Sequence, residues 1–257
     1  VFFAHDPKTL PPSCFLVSHD SAETARTAAR ELMTTGFENF AFIPYEKRLY
    51  WNEERRKAFA DAIRLNGKKC RIFSPQNRSN GQTARQRELR RFLSSLQKPV
   101  AVFAATDLTA AETITAARFE GISIPNELAI IGVDNYEHVC EHTIPPLSSI
   151  EPDYRRGGQL AMMMLMDILR SKDRSAVKHH LTFGPRRIVH RATSRTLSSN
   201  DKTVVEALEL IRREACSGLT ATEVVDTFGC SRRLAYLRFK KATGRSVLEE
   251  IHLVQLE

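Results

Sequence analysis

Long apolar runs are missing from this chain of 257 residues. Nothing in it approaches the roughly 20 consecutive apolar residues that a bilayer requires, and no basic-then-apolar segment near the start ends in a small-residue cleavage site. Neither a membrane span nor secretion is predicted. Cysteine is sparse: the 5 residues Cys14, Cys70, Cys140, Cys216 and Cys230 are odd in number and far apart, without a Cys-x-x-Cys pair. That excludes a disulfide framework and makes a reducing cytoplasm the expected setting. Gly-x-Gly-x-x-Gly and P-loop patterns are absent, so no phosphate cradle and no cofactor is predicted. Internal repeats and low-complexity stretches are absent too. Acidic residues are outnumbered, 30 against 38 Lys and Arg, giving a net charge of +8. This favours a polyanionic partner, although charge alone does not separate nucleic acid from a membrane surface.

Acidic charge is wholly missing from Arg232 to Arg245, where Arg232, Arg233, Arg238, Lys240, Lys241 and Arg245 crowd together. The surrounding stretch reads as a helix-turn-helix. Thr220 can cap a first helix whose Val224 and Val225 face inward, and Gly229 supplies the left-handed turn. Ser231 then caps a second helix. Ala235, Phe239 and Ala242 share its packing face, while Arg233, Tyr236, Leu237 and Lys240 share the opposite one. Most basic runs are solvated helix faces. Here their place on the second helix of such a unit is where a major-groove reader needs them, and Arg232 and Lys241 are counted with that face among the residues expected to meet DNA.

Upstream, apolar strands alternate with helices. Cys14 to Val17 is a short strand, Ser21 caps a helix through Gly36, and Phe40 to Ile43 is a second buried strand. Helices follow at Glu53 to Leu65, Arg85 to Leu96 and Leu108 to Glu120. Strands follow at Arg71 to Phe73, Val100 to Ala104 and Leu128 to Val133. The alternation predicts a doubly wound α/β domain with a parallel sheet. Ligands of such sheets sit beyond the carboxyl ends of strands, here Pro44 to Trp51, Thr106-Asp107 and Asp134-Asn135. Ser149 to Asp153 reads as a crossing segment, and the helix Arg156 to Leu169 carries a methionine stripe read as core packing. Thr182 to Ala192 is a last strand, Thr196 to Lys202 a polar linker, and Val204 to Arg213 a packing helix.

Two family resemblances attach to these residues. Phe228-Gly229-Cys230-Ser231, then Leu237 to Lys241 and Thr243-Gly244, resemble the DNA-binding domain of the AraC/XylS transcription regulators. That family carries two helix-turn-helix units joined by a long helix. Only the first unit precedes Glu257, so a missing second unit is expected. Phe103 to Leu108, Gly121 to Pro125, Ile131 to Asn135 and Pro145 to Ile150 resemble LacI/GalR sensor domains, which share the periplasmic sugar-binding fold. Most of that family's N-terminal lobe would lie before Val1. The expected organisation is therefore an α/β periplasmic-binding-protein-like sensor domain at 1–195 with an incomplete N-terminal lobe, a linker at 196–202, and an incomplete all-α helix-turn-helix domain at 203–257.

Fusion of such a sensor to an AraC-type domain is similar to the xylose-responsive regulators. The resemblance implies a cytoplasmic transcription regulator, an activator or a repressor, that binds double-stranded DNA as a homodimer. It further implies a pentose effector, D-xylose, and contact with RNA polymerase. On the same grounds Arg55 would hydrogen-bond sugar hydroxyls, its fork offering donors in a fixed plane. The bland reading of Arg55 is a helix-surface arginine paired with Glu53 or Glu54. Asp134, ending an apolar strand, can accept from two neighbouring hydroxyls or simply cap a turn. Thr106 stands where relatives usually carry asparagine, and Asp107 reads as the cap of the following helix. Trp51 could stack on a sugar or be a half-buried core aromatic, and Asp20 is a weaker candidate at the lobe boundary.

Catalysis and metal binding find little support. Ser18, His19 and Asp20 are adjacent, so their side chains do not converge as a triad must. His138, Cys140, Glu141 and His142 read as a solvated loop rather than a metal site. A solute-binding transport protein of the same fold would need an export signal and no DNA-binding domain.

Overall fold

Three strands of the structure are apolar along nearly their whole length. These are β3 (Asn39–Ile43), β5 (Val100–Ala104) and β6 (Leu128–Val133), and all but Asn39 of their residues are buried. A strand hydrophobic on both faces belongs inside a parallel sheet covered by helices on both sides. That is where a computed structural model of the chain puts them. It describes residues 1–75, 81–171, 173, 177–194, 202–243 and 245–255. The chain divides into two compact units, Val1–Thr196 and Leu197–Glu257.

In the first unit a six-stranded sheet runs in the order β4-β3-β5-β6-β7-β9, where β4 is Lys69–Ile72, β7 is Ser148–Pro152 and β9 is Pro185–Val189. All pairs are parallel except β7 with β9. Successive side chains alternate between two cores. Phe42, Phe103 and Ile131 meet α1 (Ser21–Met33) and α2 (Tyr50–Leu65) through Ala28, Leu32, Phe59 and Ile63. Ala41, Val102 and Ile130 meet α3 (Gly81–Ser94) and α4 (Asp107–Phe119) through Leu89, Leu93 and Ile114. Each large side chain so buried contributes roughly 1.5 to 3 kcal/mol. After β3 the chain steps outward to β4 and then back across to β5, which makes the gap between β3 and β5 the topological switch point.

A smaller parallel sheet, β1-β2-β8, joins Phe2–Phe3, Leu16–His19 and His180–Phe183. Upon it α6 (Tyr154–Arg170) packs through Met164 against Val17 and Phe183. Three crossings link the two sheets, and hydrogen bonds from Asp20 N to Phe183 O (2.7 Å) and from Asp153 N to Gly184 O (3.0 Å) tie them together.

Several expectations are corrected here. The last strand, expected unbroken over Thr182 to Ala192, splits into β8 and β9, because Gly184 marks the passage between sheets. The opening residues contribute β1. Of the methionine stripe only Met164 is buried, while Met162 and Met163 remain 60% and 54% exposed, because the small sheet covers one side of α6. The cap of α1 is Asp20, whose carboxylate accepts from Glu23 N at 2.7 Å, and not Ser21. Around the histidines expected in a loop, Glu137–Cys140 forms the short helix α5 with Cys140 buried. The expected linker falls outside the described residues up to Asp201, and Lys202 already opens a helix.

The second unit contains α7 (Lys202–Glu214), α8 (Ala221–Asp226), α9 (Arg232–Thr243) and α10 (Val247–Gln255). Their core joins Val204, Leu208 and Ile211 to Val224, Val225, Phe228, Ala235, Phe239, Val247 and Ile251. Thr220 and Glu223 form a reciprocal capping box at the start of α8, and Gly229 takes the left-handed conformation at φ 59°.

Candidate functional site

At the switch point the side chain of Arg55 turns inward from α2 and is 4% exposed. This is unlike a surface arginine, and Glu53 pairs instead with Arg56 at 2.8 Å. The Arg55 guanidinium donates through Nη1 to the carbonyl of Ala105, just past the carboxyl end of β5. Through Nη2 it donates to His19 Nδ1 at 3.2 Å. Its Nε is buried with no hydrogen-bond partner among the described residues. Trp51, one turn earlier, lies under the guanidinium at 4.9 Å from ring centroid to Cζ and packs on Tyr45 and the core. An arginine buried this fully with a donor left over has desolvated more hydrogen-bonding capacity than the protein satisfies.

His19 was legible in the sequence only as part of an unworkable triad, yet it is the side chain that fixes Arg55. Because Arg55 donates to Nδ1, the proton of the neutral ring sits on Nε2 and goes to Thr24 Oγ1 at 2.8 Å. Thr24 passes its own proton to the Asp20 carbonyl at 3.0 Å. Burial and the neighbouring Arg55 charge hold the imidazole down at about 3.

Asp134 follows β6 in the left-handed region at φ 112°. Burial raises its carboxyl pKa and the Arg55 charge opposes that rise. Tyr154, at the start of α6, directs its hydroxyl toward Asp134 Oδ1 at 3.4 Å, and burial with the Asp134 charge pushes this phenol up to about 12. Arg55, Trp51, His19, Asp134 and Tyr154 thus form one neighbourhood of donors and acceptors against an aromatic face. Among the described residues no group of three or more His, Cys, Asp or Glu is placed to hold a metal ion.

The capping role expected of Asp107 falls to Thr106. Thr106 is the cap of α4, its Oγ1 accepting from Thr109 N at 3.2 Å. Asp107 is fully buried, with one oxygen accepting from Ser149 Oγ at 2.6 Å and the other from Tyr136 N at 2.8 Å. The Asp20 carboxylate takes no part in the hydrogen bonds described for Arg55 and Asp134. Besides capping α1 it lines a groove of about 500 Å³ with Tyr50, Glu54, Lys57 and His180, which none of Arg55, Trp51, Thr106 and Asp134 lines. His19, which receives the Arg55 guanidinium, also lines that groove, while the buried, unsatisfied donor lies at Arg55.

In the second unit, Arg232, Arg233, Tyr236, Leu237 and Lys240 are all exposed on α9, while Ala235 and Phe239 are buried beneath it. Arg232 approaches Asp226 of α8 at 3.4 Å, an exposed pair. Arg238 stacks over Phe228 at 5.6 Å, which gives it a packing part as well as a charge. Lys241 lies within α9.

Residues 29–194 match the periplasmic binding protein-like domain. The chain belongs to that family. Over 98% of its length this periplasmic binding protein-like chain is also 26% identical to the xylose operon regulatory protein of Escherichia coli (strain K12), and it covers 64% of that protein. A solved structure of a xylose-binding transcription activator superposes with a TM-score of 0.73 at 25% identity, over 98% of this chain and 66% of that one. The HTH-type transcriptional repressor PurR of Pectobacterium carotovorum is 36% identical over 103 residues, which is 39% of this chain and 30% of the repressor. The chain thus spans just under two thirds of the regulators that it matches from end to end.

Proposed function

We propose that this chain is a sugar-responsive transcription regulator. In this reading the periplasmic binding protein-like unit holds a small neutral sugar, and the unit of α7 to α10 carries an AraC-type helix-turn-helix that meets double-stranded DNA. The observation that carries the reading is the buried Arg55 guanidinium, with its orphaned Nε, set at the switch point beside Asp134. Its charge is offset by that carboxylate, so the missing partner is an uncharged acceptor such as a hydroxyl, which can in turn donate to Asp134. Trp51 adds an apolar face for the C–H surface of a sugar ring. D-xylose is the leading effector because the relatives matched over nearly the whole chain are xylose regulators.

A second reading keeps the mechanism and changes the effector to another small metabolite, favoured by the PurR match over 39% of the chain. The regulator would work in the cytoplasm as a homodimer, presenting two copies of α9 to two half-sites. Activation through RNA polymerase is the sense proposed for it.

Calorimetry with D-xylose on Arg55→Ala and Asp134→Ala is the test. Each substitution strands a partner that the sugar and pocket have desolvated, about 1 to 3 kcal/mol, or roughly tenfold to a hundredfold in affinity. DNA affinity in the absence of sugar should stay at the wild-type value. Binding unchanged in both variants would overturn the site assignment.

A further inference from the structure

Two successive residues with side chains, Asp134 at φ 112° and Asn135 at φ 50°, occupy the left-handed region right after β6. Such a conformation persists only where the surroundings over-determine it, and strain of this kind concentrates at ligand clamps. Here both backbone amides of the turn and the Asn135 side chain are held. Asp134 N donates to Ile150 O at 3.0 Å, and Asn135 N to Ser149 Oγ at 3.0 Å. Asn135 Oδ1 accepts from Arg191 Nη1 at 3.0 Å, and its Nδ2 donates to Glu151 Oε2 at 3.2 Å.

Behind these bonds lies Asp107. Its Oδ1 accepts from the Ser149 hydroxyl that receives the Asn135 amide, and its Oδ2 accepts from the Tyr136 amide, the next residue of the same turn. One carboxylate therefore grips the turn on both sides. The approach is possible because residue 132 is glycine: a β-carbon there would stand 2.3 Å from Asp107 Oδ1. Asp107 itself is fully buried with both oxygens engaged, so it does not reach a ligand.

We propose that Asp107, acting through Ser149 and the Tyr136 amide, is a positioning residue that fixes the Asp134-Asn135 turn and so decides which hydroxyls of the sugar Asp134 meets. This rests on the reading of Asp134 as a sugar contact. Since Asp134 has one weak side-chain hydrogen bond of its own, at 3.4 Å to Tyr154, its aim is set by its backbone. A turn released from Asp107 would let the carboxylate face a different pair of hydroxyls, and discrimination between epimers would suffer more than binding as such.

Isothermal titration of the full chain with D-xylose and with its epimer D-lyxose tests this. Asp107→Asn supplies one acceptor where two are needed, and Ser149→Ala, the smaller change, removes the hydroxyl that joins Asp107 to Asn135 and leaves the Tyr136 amide bond in place. In both variants the D-xylose Kd should rise about tenfold and the ratio of the two sugar affinities should fall toward one. A role confined to stability would reduce the fraction of competent protein, lowering the stoichiometry for both sugars and leaving their ratio unchanged. If Asp134→Ala loses D-xylose while Ser149→Ala and Asp107→Asn keep the wild-type ratio, the positioning role is wrong and the site stands. If Asp134→Ala binds as the wild type does, or the wild type binds neither sugar, the site reading itself fails and takes this inference with it.

Discussion

Within the sensor unit His19 and Asp107 pull the acid stability in opposite directions. The fold accepts His19 as a neutral ring, its pKa brought from 6.5 down to about 3 by burial and by Arg55. The stability this gives is present above pH 6.5 and is lost as pH falls toward 3. Burial lifts Asp107 from 3.8 to about 6, against the hydrogen bonds from Ser149 and Tyr136. Its contribution is full below pH 3.8 and is lost as pH rises through 6. Between pH 4 and 6 the unfolded chain holds a proton at His19 that the folded chain lacks, and the reverse holds at Asp107. The two slopes nearly cancel. Asp107→Asn should therefore expose the histidine: on going from pH 6 to pH 4 it should lose about 2 kcal/mol of unfolding free energy relative to wild type. His19→Gln should gain about the same amount. Urea unfolding of the three proteins at pH 4, 5 and 6 measures this, and parallel curves would show that neither group is shifted. Such coupling was not legible in the sequence. Ser18-His19-Asp20 reads only as three polar neighbours, and His19 meets Arg55 through a contact 36 residues away in the chain.

At the scale of elements, the parts legible in the sequence were those whose burial is symmetrical. The strands β3, β5 and β6 are apolar on both faces, and a run such as Val100 to Ala104, five residues long and buried throughout, suits the middle of a covered sheet and little else. The elements at the crossings between sheets were not legible, because what decides them is tertiary. Phe183 serves the small sheet and Pro185 the large one, with only Gly184 between. Likewise the apolar face of α6 is wider than its sheet, so composition overstated its burial. Two neighbouring glycines on α6 report on that packing. A β-carbon at Gly157 would meet the ring of Phe183 at 2.8 Å, whereas one at Gly158 meets nothing within 4 Å. Gly157→Ala should accordingly destabilise the sensor unit, since Phe183 is buried between α6 and β2 and has little room to yield. Gly158→Ala should stabilise it by about 0.5 to 1 kcal/mol, because alanine removes backbone freedom from the unfolded chain. Thermal unfolding separates the two. Equal shifts of the same sign would mean that α6 does not pack on Phe183 as described.

For the molecule as a whole, the net charge of +8 predicts affinity for any polyanion, so binding to DNA by itself says nothing about α9. What distinguishes recognition from general attraction is how two exposed residues of one helix differ. Arg233 stands in the first turn of α9, where a guanidinium in the major groove can make two hydrogen bonds to guanine O6 and N7. Lys240 lies about two turns further on, where a phosphate is the expected partner. Arg233→Ala should then lose about 1 to 3 kcal/mol on the correct site and relax discrimination at one base pair, with nonspecific affinity little changed. Lys240→Ala should weaken all sequences alike and reduce the slope of log K against log salt by about one. Both side chains are exposed while Ala235 and Phe239 hold the helix from beneath, so neither substitution should disturb the fold. Competition binding across a series of salt concentrations reads both effects. Should Arg233→Ala lower specific and nonspecific affinity equally, the arginine would be one more phosphate contact, and α9 would not be the helix that reads the sequence.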